Sequence, residues 1–387
     1  MKFLHLSDLH IGKSVHGFSM LEEQKHVFEQ ILRYIQSQQV NAVVIAGDIY
    51  DHAIPRNEAI RVFDDFLTEL AHKNVTVLLI AGNHDSPDRI SYANRLLTDK
   101  QLFLYGSFNG KLQKVTLTDE YGEVNFWLLP FVKPLSVYTF FEGSPIEDYA
   151  DALNLVIRTA DIDYNARNVL VSHQFFTKTG VEPILSESEL NPVGGLDAIN
   201  ISLIEKFDYV ALGHLHGTQK IGVEHICYAG SPLKYSFSEI QQTKSVLLVE
   251  INEKTSSNVI IKTLPLTPIH DMHELKGKIE ELLSDEFSSR VNKEDYLHIT
   301  LTDEEEILDP MEKIRSVYPN IMTFKFENSR TKNNYLPQIQ QNSEQQTNQQ
   351  LSRYELFSEF FLKACGCAMS LEQSRIVKEL LATEVTE

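Results

Sequence analysis

VNAVVIAGDIYD, residues 40–51, is an apolar run that stops abruptly at a glycine and an aspartate. Ala42 to Ala46 leaves no polar face, so the stretch reads as a strand buried on both sides, as in layered α/β domains. Gly47-Asp48 then supplies turn chemistry at its carboxyl end. The theme recurs outward, in MKFLHLSDLH at 1–10 and in VTVLLIAGNHD at 75–85, NVLVSHQ at 168–174 and DYVALGHLHG at 208–217. Between the first three runs, Leu21 to Gln39 and Asn57 to His72 carry apolar residues at helical spacing, such as Phe28, Ile31, Leu32 and Ile35. The expectation is an α/β fold, a four-layer α/β sandwich over residues 1–264.

The 387 residues exceed a typical domain about twofold, so smaller modules should follow the large one. From Pro265 the texture changes, with Pro265 and Pro268 as punctuation, an amphipathic helix expected from Met272 to Leu283, and strands at Tyr296–Thr302 and Met322–Glu327. Residues 265–336 are read as a small α+β domain. Pro337 to Gln350 is dominated by Gln, Asn and Ser and reads as a linker. Residues 351–387 regain apolar spacing, with Leu356, Phe360, Phe361 and Ala364 before Gly366 and Ile376, Leu380 and Leu381 after Ser370. Two short helices after such a linker bury too little alone and read as a docking element for a partner.

Hydrophobic residues make up 42% and no run approaches the roughly 18 apolar residues of a membrane span. His5 and Asp8 interrupt the amino-terminal apolar residues before a signal core could form, so the expected location is cytoplasmic. Three cysteines, at 227, 365 and 367, are too few for a disulfide framework. The net charge of −19 argues against a protein that grips nucleic acid unaided, because phosphates are held by Lys and Arg.

The polar clusters at the strand ends carry the chemistry. Asp8-Leu9-His10, Gly47-Asp48, Gly82-Asn83-His84-Asp85, His173 and Gly213-His214-Leu215-His216 each end an apolar strand. Ligands of open α/β sheets gather at such carboxyl ends, which would bring these residues to one rim. Two aspartates, an asparagine and several histidines form a mixed oxygen and imidazole set suited to divalent Mn, Fe or Zn, without structural-zinc thiolates. The surplus over one ion's needs implies two, roughly 3.5–4 Å apart, with Asp48 the best candidate for the shared carboxylate. Such a pair activates a water, clamps a phosphate for in-line displacement and offsets the acidic surroundings. Each cluster alone is ordinary turn chemistry; their serial recurrence is not.

The series matches, motif for motif, the calcineurin-like metallophosphoesterases. That resemblance implies one metal on Asp8, His10, Asp48 and His216 and another on Asp48, Asn83, His173 and His214. It also implies a phosphate-contacting, catalytic His84 oriented by Asp85. MKFLHLSDLHIGK, GDIYDHAIP, AGNHDSPDR and YAGSPLKYSFSE at 228–239 resemble more narrowly the SbcD-type repair nucleases over the first 250 residues. The narrower resemblance implies a manganese-dependent double-strand exonuclease and single-strand or hairpin endonuclease acting in DNA repair, replication and recombination. By it, the α+β module is a DNA-capping domain and the last helices bind an SbcC-type coiled-coil ATPase, which would supply the missing basic surface. A homodimer is also implied, with Asn57 to His72 and Pro87 to Leu97 as candidate helices.

The alternative is a phosphodiesterase or phosphatase for a small nucleotide or phosphoprotein, which needs neither capping domain nor docking helices. A scaffold that lost the chemistry is disfavoured because every ligand position is filled. Arg89, Lys234 and Tyr235 follow the motifs and are candidate DNA contacts. His5, His16, His52 and His225 are set aside as core or surface, Cys365-Gly366-Cys367 as small buried side chains, and Asp303 to Glu306 as a solvated turn.

Overall fold

The computed structural model describes residues 1–181, 183–189, 198–255, 258–329 and 331, with scattered positions between 354 and 378. The chain divides into two compact units, Met1–Met272 and His273–Glu387.

Two six-stranded sheets build the first unit. In one the order is Val259–Pro265, Ser245–Ile251, Lys2–Leu6, Ala42–Ala46, Thr76–Ile80 and Leu102–Tyr105. Its last four strands run parallel, while Ser245–Ile251 is antiparallel to Lys2–Leu6. In the other the order is Gln219–Lys220, Ile226–Tyr228, Tyr209–Leu212, Arg167–Ser172, Gly122–Leu129 and Gln113–Asp119, with the four central strands parallel. Phe3, Val44, Ala46, Leu78 and Ile80 from the first sheet share one core with Phe126, Leu128, Val169, Val171 and Ala211 from the second. Side chains alternate along a strand, so Leu4, Val43, Ile45, Val77 and Leu79 point out of the opposite face, where they are also buried. This double burial explains the unbroken apolar runs.

Helices form the outer layers. Asn57–His72 buries Ala59, Val62, Phe63, Phe66 and Leu70, packs on Thr76–Ile80, and stacks Phe66 on Phe28 of helix Leu21–Gln38 with ring centroids 4.5 Å apart. On the second sheet, Ala152, Leu153, Val156 and Ile157 of helix Tyr149–Arg158 join Leu129, Leu170 and Leu212 in a separate core. Asp148 caps that helix by accepting from the Asp151 amide. The layers are therefore helix, sheet, sheet, helix.

The second unit holds a three-stranded sheet ordered Met272–Gly277, Tyr296–Leu301, Ile321–Phe326, with short helices Ile279–Leu282, Asp285–Ser288 and Pro310–Arg315. Leu275, Leu282, Leu297, Ile299, Ile314 and Tyr318 form its core. The helix expected from Met272 to Leu283 is replaced by a strand and one helical turn. Met272, Leu275, Ile279 and Leu282 have helical spacing, but pairing beside Tyr296–Leu301 outweighs that local preference and Gly277 ends the strand. The candidate helix over Pro87 to Leu97 is likewise two turns, Pro87–Ile90 and Asn94–Leu97, interrupted at Ala93 with φ 59°. The linker at 337–350, Cys365 and Cys367, and most of the docking segment at 351–387 lie outside the described residues, although 373–378 is helical.

Candidate metal centre

Every strand-end cluster singled out in the sequence reaches one site between the two sheets. Lys2–Leu6, Ala42–Ala46 and Thr76–Ile80 deliver Asp8, His10, Asp48, Asn83 and His84 from one sheet. Arg167–Ser172 and Tyr209–Leu212 deliver His173, His214 and His216 from the other. Asp8, His10, Asp48, His173 and His216 are at most 2% exposed. Three overlapping groups have donor atoms close enough for a cation: Asp8, His10 and His216; His10, Asp48 and His84; Asp8, Asp48 and His173.

Asp48 lies at the centre. Its Oδ2 is 3.6 Å from His10 Nε2, 3.4 Å from His173 Nε2 and 4.0 Å from His84 Nε2. Asn83 Oδ1 stands 3.1 Å from both His173 Nε2 and His214 Nδ1. His10 Nε2 faces His216 Nε2 at 3.1 Å. Lone-pair donors converging in this way, from carboxylate, amide and imidazole, fit divalent cations of the Mn, Fe or Zn kind.

The histidine orientations follow from their other contacts. His173 Nδ1 lies 2.6 Å from the Ala46 carbonyl, which can only accept, so Nδ1 carries a proton and Nε2 is the nitrogen turned inward, open to a cation once the ring is neutral. His84 Nδ1 donates in the same way to the Asp51 carbonyl at 2.9 Å, and its ring is 22% exposed, the most open of those around Asp48. His216 Nδ1 meets Ser188 Oγ at 2.7 Å.

The backbone is strained where the function requires it. Asp8, His10, Asp48 and His214 adopt φ of 51°, 44°, 51° and 102°, a region non-glycine residues seldom occupy. Two glycines serve by lacking a side chain. A Cβ at Gly82 would lie 2.1 Å from Asp48 Oδ1, and one at Gly47, itself at φ 92°, 2.3 Å from His173 Nδ1. Gly47 is thus more than the turn residue its sequence position suggests.

Electrostatics separates otherwise similar groups. Burial opposes ionisation of Asp48, but the charge and hydrogen bond of His173 together with the nearby His10 and His84 outweigh it and hold the carboxyl far below the usual range. Burial raises Asp8, with His173 pulling the other way. His173 itself is pushed up to about 9, because Asp48 outweighs the burial that would lower it. Burial dominates for His10, which is lowered well below its ordinary value, and for His214, lowered to about 3.

Asp85 corrects an expectation. Its carboxylate does not hold the His84 ring; it accepts the amides of Ile49 at 3.1 and 3.0 Å, Tyr50 at 3.0 Å and Gly82 at 2.9 Å. The Asp51 carbonyl orients His84 instead, since the Asp85 side chain turns back under the loop. Tyr235 is also not a surface contact: it is 3% exposed and donates to the Leu9 carbonyl at 2.5 Å. Lys234 is paired with Asp271 at 2.8 Å, while Arg89 is exposed. Sequence reasoning missed Asp51, Ser188, Glu239 and Lys244, which carry no strand-end signature.

Residues 1–218 match the calcineurin-like phosphoesterase family. The chain belongs to that family of metal-dependent hydrolases. Residues 268–364 match a family described as the type 5 capsule protein repressor C-terminal domain. A Staphylococcus epidermidis protein named as the SbcD component of the nuclease SbcCD is 33% identical over 325 residues, 83% of this chain and 84% of that one. A Staphylococcus saprophyticus protein of the same name is 32% identical over 338 residues, 85% of this chain and 87% of that one. Within the phosphoesterases, the chain belongs to the SbcD family. A dimetal phosphatase structure from Danio rerio matches with 12% identity and TM-score 0.43, covering 69% of this chain and 97% of that one. Among the described residues no helix is long and apolar enough to cross a membrane.

Proposed function

We propose that the chain is a DNA phosphodiesterase, cutting duplex ends as an exonuclease and single strands or hairpins as an endonuclease. One divalent ion would be held by Asp8, His10, Asp48 and His216 and a second by Asp48, Asn83, His173 and His214, with manganese the working ion. The observation that carries this is the position of Asp48 Oδ2, within 3.4–4.0 Å of nitrogens on three histidines from both sheets. Bound there, the ions would polarise and neutralise a phosphodiester and lower the pKa of an attacking water.

The protein's own groups supply the rest. With Nδ1 committed to Asp51, His84 has Nε2 to contact a phosphate oxygen or protonate the leaving oxygen. Asp85 is a positioning residue, tying the Asp48 loop to the Asn83 loop. The charge of −19 is reconciled with DNA if an SbcC-type ATPase, docked through residues 351–387, provides the basic surface. Residues 265–336 would cap the DNA. A homodimer would use the faces around Asn57–His72 and Pro87 to Leu97, where Ile54, Tyr92 and Leu96 are 76%, 81% and 77% exposed. A cytoplasmic location accords with this role.

The test is cleavage of labelled duplex, hairpin and single-stranded DNA with Mn²⁺, beside Asp48→Ala, with and without the ATPase. Metal-dependent cutting that the variant loses and the ATPase enhances is expected. Hydrolysis of small phosphodiesters alone, unaffected by truncation near Pro265, would reject the DNA reading.

A further inference from the structure

Behind His216 lies a largely buried polar chain, with Ser188 half-buried, that the phosphodiesterase chemistry does not itself call for. Ser188 Oγ is 2.7 Å from His216 Nδ1 and 2.5 Å from Glu239 Oε1. Glu239 is fully buried, and its other oxygen pairs with Lys244 Nζ at 2.6 Å. Lys244 is 5% exposed and also donates to the His216 carbonyl at 2.9 Å. The same loop grips the histidine a second time, as Glu189 Oε1 accepts the His216 amide at 2.5 Å.

Donor arithmetic orders the chain. An ionised Glu239 can only accept, so the single Ser188 hydroxyl proton goes to it. The Ser188 oxygen must then accept at its other contact, and His216 Nδ1 must donate. This leaves Nε2 of His216 as a lone pair directed at the centre, 3.1 Å from His10 Nε2. Lys244 neutralises the carboxylate in place, which makes its burial tolerable. Ser186 Oγ has one proton, which goes either to Ser188 Oγ at 2.7 Å or to Glu239 Oε1 at 3.1 Å, and neither choice reverses the direction.

We infer that Ser188 and Glu239 form a hydroxyl-mediated carboxylate relay that fixes His216 as the Nδ1–H tautomer and so poises its Nε2 for metal. The inference rests on the reading of His216 as a ligand. Ser188 and Glu239 are positioning residues, acting on metal through the imidazole. Three other histidines of the site behave differently: Nδ1 of His173 and of His84 donates to a main-chain carbonyl, and Nδ1 of His10 makes no hydrogen bond among the described residues and lies 3.6 Å from Asp51 Oδ1. His216 is held through a side-chain relay that includes Ser188 of the loop 183–189, so binding at its site depends on that loop.

The experiment uses the full chain stripped of metal, with ¹⁵N-labelled histidine, followed by Mn²⁺ titration. The His216 ring should show its proton on Nδ1, and Ser188→Ala should lose that preference. Ser188→Ala should weaken one of the two metal sites about 10- to 100-fold, the usual effect of removing a partner behind a ligand, and leave the other unchanged. Ser188→Thr, which keeps the hydroxyl, should restore both. An Nε2–H tautomer in the unsubstituted protein would overturn the relay. So would unchanged binding in Ser188→Ala while His216→Ala loses an ion, which keeps the site and rejects the relay. Two full-affinity ions in His216→Ala would overturn the ligand reading itself.

Discussion

Replacing Asp85 separates two accounts of the same residue. Its neighbour in sequence is the proposed acid, His84, and proximity alone suggests that Asp85 tunes it. The structure instead commits the carboxylate to three amides, those of Ile49 and Gly82 buried and that of Tyr50 partly so. In Asp85→Ala those amides lose their acceptor, and each unsatisfied buried donor costs about 1–3 kcal/mol. Water entering the vacated space offsets part of this, so about 4 kcal/mol is expected rather than the full sum. For a unit of this size each kcal/mol moves Tm by roughly 2 °C, which predicts a drop of about 8 °C. Asp85→Asn keeps the shape and one acceptor oxygen and should fall about midway. Metal binding should weaken in step, because Gly82 and Asn83 lie on one tied loop and Asp48 on the other. Thermal melts and bound Mn²⁺ per chain measure both. If Asp85→Ala keeps its Tm and both ions but loses activity with a displaced pH–rate profile, the carboxylate acts on His84 and the structural reasoning fails.

Other outcomes follow from the same contacts. His84→Gln should retain both ions yet lose about 10²–10⁴-fold in DNA cleavage, the worth of a general acid, and loss of metal would make His84 a ligand instead. Burial would raise the Asp119 carboxyl, but chiefly the Arg167 guanidinium, 2.6 Å away, outweighs it and holds the group below the usual carboxylate range. A depressed folded pKa stabilises above the unfolded value of about 3.9 and the gain is lost as pH falls below it. Asp119→Asn should therefore lower Tm at pH 7, with the gap closing in acid; a gap independent of pH would refute the ion pair's contribution. Cys227 is buried and its thiol is pushed up to about 12, so native protein at pH 8 should resist iodoacetamide there, as peptide mapping would show. Alkylation at the rate of a free cysteine would contradict that burial.

The one-dimensional signal was strongest where a strand is buried on both faces and ends in chemistry. Ala42 to Ala46, Val77 to Ile80 and Tyr209 to Leu212 had to be apolar throughout, and the polar residues after them had to lie at one edge of their sheets. That much follows from local sequence, because burial and strand periodicity act residue by residue. The sequence could also propose Asp48 as the shared carboxylate, although only the folded chain brings its Oδ2 to histidines from both sheets. It misjudged Met272 to Leu283, where apolar spacing favours a helix and pairing with Tyr296–Leu301 prevails. It placed Asp85 beside the wrong partner, since the adjacent residue in the chain is not the one its side chain meets. Ser188, Glu239 and Lys244 carry no motif that points to His216, because their role depends on a proton's direction through atoms 28 to 51 residues apart along the chain. Composition and periodicity determine which residues must be inside and which strand ends carry function. Hydrogen-bond direction and orientation are settled only when distant segments meet, and those decide which nitrogen of each histidine faces the metal centre.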